Sequence, residues 1–555
     1  MTTIDPLDTR EDLDLDLIII GAGFAGMMAL HHARGLGLRT VVLEAGDDVG
    51  GTWYWNRYPG LTCDIESYFY SYSFDEQLQQ EWEWRDRYAT QEEILSYARH
   101  VADRFALRSG IRFGTRVVSQ AYDETALRWS VIDEHGVVRT ARFVIMATGV
   151  LSAPKEMRLE GEATFGGQVL RTTHWPDGVD LTGKKVAVLG TGSTGIQVST
   201  EIADKVEHLY VLQRTPSFSV PNHNRPLDPA QTAEVKANYP ALRAHCRTTL
   251  DGLILPGTGR NTADVPVEEQ LAILEDAWAD GRGFRFDVTF EDTLLDDGAN
   301  RVVADFLASK IRQLVDDPET ARRLTPSGYP FGTRRICMDA GYYAIFNRPT
   351  TTLVDLRETP LVGLTATGVQ TTTEHLEVDA VVLATGYDAV TGALSRIEIV
   401  GRDGRRLSDH WAEGARTMKG IAVAGFPNLF LITGPLSPSV FTNVIASIEQ
   451  HVEWLTTLLE HAKAEQLDEI EALPEAEEAW VRHSDELAAS TLHTRGTSWF
   501  SGANVEGKPR RILAYVGGLG AYGEHLAAET TQDYPGFALR RVQTVGAAHS
   551  DTEEN

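Results

Sequence analysis

Four short apolar runs, each entering a glycine-containing turn, organise the chain. Leu17-Ile18-Ile19-Ile20 leads into Gly21-Ala22-Gly23-Phe24-Ala25-Gly26, and Val186-Ala187-Val188-Leu189 leads into Gly190-Thr191-Gly192-Ser193-Thr194-Gly195. Phe143-Val144-Ile145-Met146 enters Ala147-Thr148-Gly149, and Asp379-Ala380-Val381-Val382-Leu383 enters a second Ala384-Thr385-Gly386. The first two predict strand, tight turn and helix start. The intervals 267–279 and 302–314 carry helical periodicity, and further helices are expected around 448–462 and 476–491.

In a strand–glycine turn–helix unit the first glycine makes the turn. The second lets backbone approach a pyrophosphate, and the third lets helix pack on strand. Position 18 beyond the last glycine is Glu44 in the first unit and Gln213, followed by Arg214, in the second. A carboxylate there accepts hydrogen bonds from a free ribose 2′-hydroxyl, whereas a neutral residue beside an arginine suits a 2′-phosphate. The chain is therefore expected to be an α/β protein with two Rossmann-like dinucleotide-binding domains, for FAD and then NADPH, the NADP domain carrying a helical insertion. The expected divisions are 14–154 (FAD domain, first part), 155–227 (linker and NADP domain, first part) and 228–326 (helical insertion). Residues 327–378 would return to the NADP domain, and 379–545 would complete the FAD domain and the C-terminal region.

Composition narrows the function. At 555 residues, 42% hydrophobic and 23% charged, the chain reads as a globular protein of two or three domains. A formal net charge of −28 argues against nucleic acid or an anionic membrane as partner. The acidic stretch Met1 to Asp16 has no secretory pattern, and no apolar run has the ~18 residues of a membrane span. The ends, including His549 to Asn555, read as disordered polar tails. Cys63, Cys246 and Cys337 are far apart and form no CxxC. No redox dithiol and no metal site are expected, and a cytoplasmic location is.

Three further segments carry the chemistry. Gly50-Gly51-Thr52-Trp53-Tyr54-Trp55-Asn56-Arg57-Tyr58-Pro59-Gly60-Leu61-Thr62-Cys63-Asp64 places glycines, an aromatic cluster, a Tyr-Pro-Gly turn and an aspartate at fixed spacing. Phe165-Gly166-Gly167-Gln168-Val169-Leu170-Arg171-Thr172-Thr173-His174-Trp175-Pro176 lies between the two glycine units, and Thr333-Arg334-Arg335 precedes Tyr342-Tyr343. The first segment resembles the pattern (A/G)GxWxxxx(F/Y)P(G/M)xxxD of the type I, or class B, flavin-dependent Baeyer–Villiger monooxygenases. The second resembles their FxGxxxHxxxW(P/D), with Arg171 where that family has histidine. Arginine keeps a donor and a cation but does not titrate near neutrality. The departure is tolerable if that position shapes the linker, and alters rate or coupling if its protonation matters. The resemblance runs on through Gln213–Pro216, Ala384–Asp388, Gly434-Pro435, Ser447–Gln450 and Ser498–Val505, and is faint in 228–326.

What the resemblance implies is an NADPH- and O2-dependent oxidoreductase. It would insert one oxygen atom beside a ketone carbonyl, giving an ester or lactone through a C4a-peroxyflavin. Arg335 would be the catalytic cation and Asp64 its orienting partner, Asp64 also standing beside FAD. Gly21, Gly23, Phe24, Ala25, Gly26, Glu44, Gly51, Thr52, Trp53, Trp55 and Tyr70 would form the FAD site. Gly190, Thr191, Gly192, Ser193, Thr194, Gly195, Gln197, Arg214, Thr215, Arg334 and Trp499 would form the NADP site. Leu151, Val440 and Phe441 are the candidate pocket residues for a hydrophobic cyclic or bulky ketone. Two alternatives stay open: a flavin-dependent N- or S-hydroxylating enzyme or uncoupled NADPH oxidase, and a non-catalytic dinucleotide sensor.

Overall fold

The computed structural model describes residues 14–541. Strand Asp14–Ile20 lies inside an eight-stranded sheet, parallel to Thr40–Leu43 on one side and Val138–Met146 on the other. Leu17 and Ile19 face helix Phe24–Gly35, while Ile18 and Ile20 face a second apolar cluster on the opposite side of the sheet. Burial on both faces is why the run is apolar at every position instead of alternating. Val138–Met146 continues antiparallel into Arg128–Asp133 and Val117–Asp123, and also pairs in parallel with Leu429–Leu431.

The second apolar run forms strand Lys185–Leu189 in a five-stranded parallel sheet. Its order is Thr351–Asp355, His208–Gln213, Lys185–Leu189, Ala380–Leu383, Gln168–Arg171. One expected boundary shifts, and one segment of the linker joins a sheet. Ala380–Leu383 pairs with Lys185–Leu189, so the second domain extends past residue 378 and the return to the first lies beyond Leu383. Gln168–Arg171, expected in a linker, is the edge strand of this same sheet. Local pattern identifies a strand, but the sheet that receives it depends on distant partners.

The insertion is helical as expected, with Pro229–Ala237, Tyr239–Cys246, Val267–Asp280, Asp297–Leu314 and Pro318–Leu324 as its main helices. The fourth begins ahead of the periodic stretch because Asp296 accepts hydrogen bonds from the backbone N–H groups of Gly298 and Ala299. Ile311, Val315, Ala321 and Leu324 pack into the same core as Val188 and Val211, which makes the last part of the insertion a wall of the second domain. Beyond it, the short strand Cys337–Asp339 pairs with Ser219–Pro221. The C-terminal helices are Val444–Ala464, packed on Phe24–Gly35, and Pro474–Ala489. Residues His549 to Asn555 lie outside the described residues. Among the described residues, no helix is long and apolar enough to cross a membrane.

Candidate functional site

The two glycine turns are built alike. Gly21 and Gly190 have φ of +103° and +113°, and a Cβ on them would lie 2.6 and 2.5 Å from the carbonyl oxygens of Ala147 and Ala384. The two Ala-Thr-Gly turns thus press the backbone against the first glycine of each unit. Gly26 and Gly195 are closed more tightly still, their imagined Cβ atoms lying 1.8 and 1.9 Å from the carbonyl oxygens of Gly21 and Gly190. The middle glycines are different: a Cβ on Gly192 meets nothing within 4 Å, and one on Gly23 only Gly51 at 3.4 Å.

Helices Phe24–Gly35 and Ser193–Ile202 start at Gly23 and Gly192 with no side chain capping their first N–H groups. Helices beginning after Thr90, Asp228, Asp296 and Asp317 are all capped. Two uncapped helix starts, each with an open glycine, fit dinucleotide pyrophosphates, whose charge the free N–H groups and the helix dipole favour.

Glu44 is buried. Its carboxylate accepts from the backbone N–H of Ala22 at 2.6 Å and of Gly46 at 2.7 Å. Burial pushes this carboxyl above the ordinary range, while the two N–H groups pull against that shift. Each oxygen keeps lone-pair capacity for a ribose hydroxyl. Gln213 departs from the expected picture: it is turned into the core and donates to the Arg323 carbonyl at 2.9 Å, leaving Arg214 as the exposed group at that strand end. Thr215 accepts from the Thr191 hydroxyl through its carbonyl at 3.1 Å. Arg334 donates to the Thr497 carbonyl at 2.7 Å and lies near enough to Arg214 for the two charges to oppose each other. Such opposition is relieved by a bound dianion.

The aromatic segment joins the two halves. Gly51 approaches Gly23, with a Cβ on Gly51 only 3.0 Å from the Gly23 Cα. Buried Trp53 donates its indole N–H to the Tyr70 hydroxyl at 3.0 Å, Phe24 packs edge-on to Tyr70, and Trp55 packs edge-on to Tyr54. Thr52 is exposed beside them, and Ala25 lies in the core under the first turn. Tyr58 donates to Gln197 at 3.0 Å, and Gln197 donates to the Thr62 carbonyl at 3.1 Å. Tyr387, just past the second Ala-Thr-Gly, donates its hydroxyl to Asn56, while its carbonyl accepts from Asn504 at 2.7 Å. Ser193 and Thr194 stand in the first helical turn, where Ser193 meets the Cys337 sulfur.

Arg335 and Asp64 meet across this junction. The guanidinium donates through Nε and Nη2 to the two carboxylate oxygens at 3.0 and 2.9 Å, and through Nη1 to the Val440 carbonyl at 2.7 Å. Its Cζ lies 4.4 Å from the centre of the Phe284 ring. Of five guanidinium N–H bonds, these three contacts leave two for another oxygen. The side chains are 21% and 27% exposed, so the pair is sheltered yet reachable.

Val440 packs with Phe500 and Ala514, and Phe441 and Trp499 lie against them. Val150 completes that cluster, whereas Leu151, the expected lining residue, packs on the cluster across the first sheet. Arg171 is a tether: it pairs with Glu162 at 2.6 Å and donates to the Met157 carbonyl at 3.3 Å. Both contacts hold the guanidinium against its own segment.

Two acids near Arg335 carry no signal in the sequence pattern. Asp251 and Asp287 both stand in the insertion, and burial raises both carboxyls, Asp251 to about 7, with Arg335 pulling each back. A folded-state value above the unfolded ~4 means that Asp251 favours folding at low pH and loses that contribution as pH rises through about 7. Asp251→Asn in the holoenzyme is therefore expected to raise Tm by a few degrees at pH 8 and by less at pH 5, as thermal melts would show.

Comparison with known proteins agrees with this architecture. A pyridine nucleotide-disulphide oxidoreductase family model matches residues 18–249. The three described cysteines are buried and unpaired, so the nucleotide-binding plan is shared without a redox dithiol. The chain is 43% identical to the cyclohexanone monooxygenase of Rhodococcus sp. Phi1, solved with NADP+ bound. That match has a TM-score of 0.93 and covers 96% of this chain and 100% of that one. It is 40% identical to phenazine N-monooxygenase PhzNO1 of Lysobacter antibioticus over 94% of this chain and 97% of that one. A Baeyer–Villiger monooxygenase of Pseudooceanicola batsensis is 39% identical over 95% of this chain and 97% of its own length. The chain belongs to the Baeyer–Villiger monooxygenase family.

Proposed function

We propose that the protein is an FAD- and NADPH-dependent monooxygenase that inserts one atom of O2 beside a ketone carbonyl, producing an ester or lactone. The observation that carries this reading is the bidentate Arg335–Asp64 pair at the junction of the two nucleotide cradles. Bound flavin, reduced by the nicotinamide, supplies the oxygen chemistry. The first cradle, with Glu44 and the Trp53–Tyr70 pair, holds FAD. The second, with Gln197, Arg214, Thr215 and Arg334, holds NADPH, and Trp499 borders its nicotinamide side.

Asp64 fixes the plane of the guanidinium, and the Val440 carbonyl fixes its third edge. The two remaining N–H bonds offer a permanent cation to an oxygen that becomes negative as the ketone carbonyl is attacked. At ~4 Å and an effective dielectric near 20, such a contact is worth roughly 4 kcal/mol before desolvation. Arginine serves better than a titrating base because it never loses its charge. Val440 and Phe441 flank the place where the ketone would stand. We place the enzyme in the cytoplasm, a reading supported by its unpaired cysteines.

Product analysis tests the proposal: purified enzyme with ketone, NADPH and O2 should yield a lactone or ester one oxygen heavier than the ketone. Recovery of unchanged ketone with hydrogen peroxide would leave an oxidase instead. N-oxygenation is the second reading, favoured by the phenazine relative, and an N-oxide from an aromatic nitrogen substrate without any lactone would establish it. Arg214→Ala is expected to raise the Michaelis constant for NADPH about tenfold or more and that for NADH far less, the span of a lost charge-assisted phosphate contact. Steady-state kinetics with both coenzymes measures it, and equal effects would remove Arg214 from the 2′-phosphate site.

A further inference from the structure

The surroundings of Arg335 away from Asp64 are more polar than a pocket for a plain hydrocarbon ketone requires. Phe284, whose ring lies against the guanidinium, begins the short turn that carries Asp287, and the Asp287 N–H donates to the Phe284 carbonyl at 3.1 Å. Oδ1 of Asp287 is buried with no hydrogen-bond partner among the described residues, and it lies beside Gly332, three positions before Arg335. Asp251 is tied through its backbone to the loop that grips Arg335. Its carbonyl accepts from the Asn443 N–H at 2.7 Å, and Asn443 closes the loop whose Val440 carbonyl binds the guanidinium.

Two more polar atoms on that loop and its neighbour are unmatched among the described residues. Ser439, directly before Val440, is fully buried with a free hydroxyl. His493, 8% exposed, stacks on Phe441 at 4.7 Å and keeps a buried, unpartnered Nδ1. Burial lowers this imidazole to about 4, so it is neutral and an acceptor is available on the ring at physiological pH. Buried polar atoms without partners are costly, and a group of them around one arginine implies a ligand that completes them.

We infer that the site reads a hydrogen-bond donor on its substrate: the ketone carries a hydroxyl or a protonated amine set apart from its carbonyl, with Asp287 as the acceptor. Ser439 and His493 supply the surrounding polarity, and Phe284 and Phe441 cover the hydrocarbon part between the two ends. This rests on the ketone-oxygenation reading above and adds a polar far end to the expected hydrophobic cyclic or bulky ketone. Sites built to pair a substrate hydroxyl or N–H discriminate strongly against the analogue lacking it, because their own groups are then left unpaired.

The test uses the holoenzyme with NADPH, O2 and three ketones of matched size: 4-hydroxycyclohexanone, 4-aminocyclohexanone and 4-methylcyclohexanone. The expected result is a kcat/KM for lactone formation at least about tenfold higher for one of the first two than for the methyl compound. Preference for the amine alone identifies an ionised acceptor, and preference for the alcohol a neutral one. In Asp287→Leu the ratio should fall toward one. Asp287→Asn, which preserves volume, should lower the amine-to-methyl ratio if the leucine variant fails to fold. Lactone from all three ketones at similar efficiency, or a ratio that no variant changes, overturns the inference alone. Absence of lactone from every ketone overturns the ketone-oxygenation reading beneath it.

Discussion

Arg335→Ala is expected to lower ester or lactone formation by ~10²–10³-fold or more while the protein still binds flavin and still oxidises NADPH. The side chain makes three hydrogen bonds, two to Asp64 and one to the Val440 carbonyl, and lies against the Phe284 ring. Asp64 is already 27% exposed with the arginine in place and can recover water once it is removed, so folding should survive. What disappears is the fixed positive charge beside the reacting oxygen. NADPH consumption should then run on without ester, and hydrogen peroxide should accumulate in its place. Arg335→Lys should recover only part of the loss, since an ammonium cannot make the two parallel bonds to Asp64. Mass analysis of product alongside NADPH and peroxide assays measures all of this. An Arg335→Ala enzyme with unchanged ester yield would exclude the guanidinium from the chemistry.

Two substitutions three residues apart in the second cradle should behave oppositely. Gly195→Ala sets a methyl group 1.9 Å from the Gly190 carbonyl oxygen, a backbone atom that cannot swing aside. Helix Ser193–Ile202 must then lift from its strand, opening a core that includes Ile196, Val188 and Val211. Strongly reduced soluble protein or a loss of several kcal/mol of stability is expected, in the range of overpacking and backbone-strain effects. Gly192→Ala meets no protein atom within 4 Å and should leave thermal unfolding nearly unchanged. Its cost falls on the coenzyme, because the methyl group stands where the pyrophosphate approaches. Weaker NADPH binding by ~10-fold or more with normal flavin content is the expected result. Melting curves and NADP+ titrations separate the two variants, and equal behaviour would mean that the second glycine faces no ligand.

The parts of the molecule legible in its sequence are those where chemistry demands a residue type at a fixed separation. Gly21, Gly26, Gly190 and Gly195 had to be glycine because backbone lies against them, and that demand is local. Asp64 and Arg335 stood out through motif spacing, and they do meet, although the chain between them is long. Sheet membership was less accessible. Ala380–Leu383 and Gln168–Arg171 look like strands of any sheet, and only pairing with Lys185–Leu189 and with each other assigns them. Gln213 occupied the expected ribose position, yet its amide turns inward because the Arg323 carbonyl waits there, supplied by the insertion. Asp251 and Asp287 were invisible as a pair, since nothing in their local sequence reports that two turns of the insertion converge on Arg335.

The inward amide of Gln213 limits how this enzyme can be converted to the cheaper coenzyme NADH. Copying the first cradle by writing glutamate at 213 would set a carboxylate oxygen against the Arg323 carbonyl, acceptor facing acceptor, in a position only 1% exposed. Such a swap would damage the protein before it changed its diet. The route that leaves the interior alone begins at the surface, with Arg214.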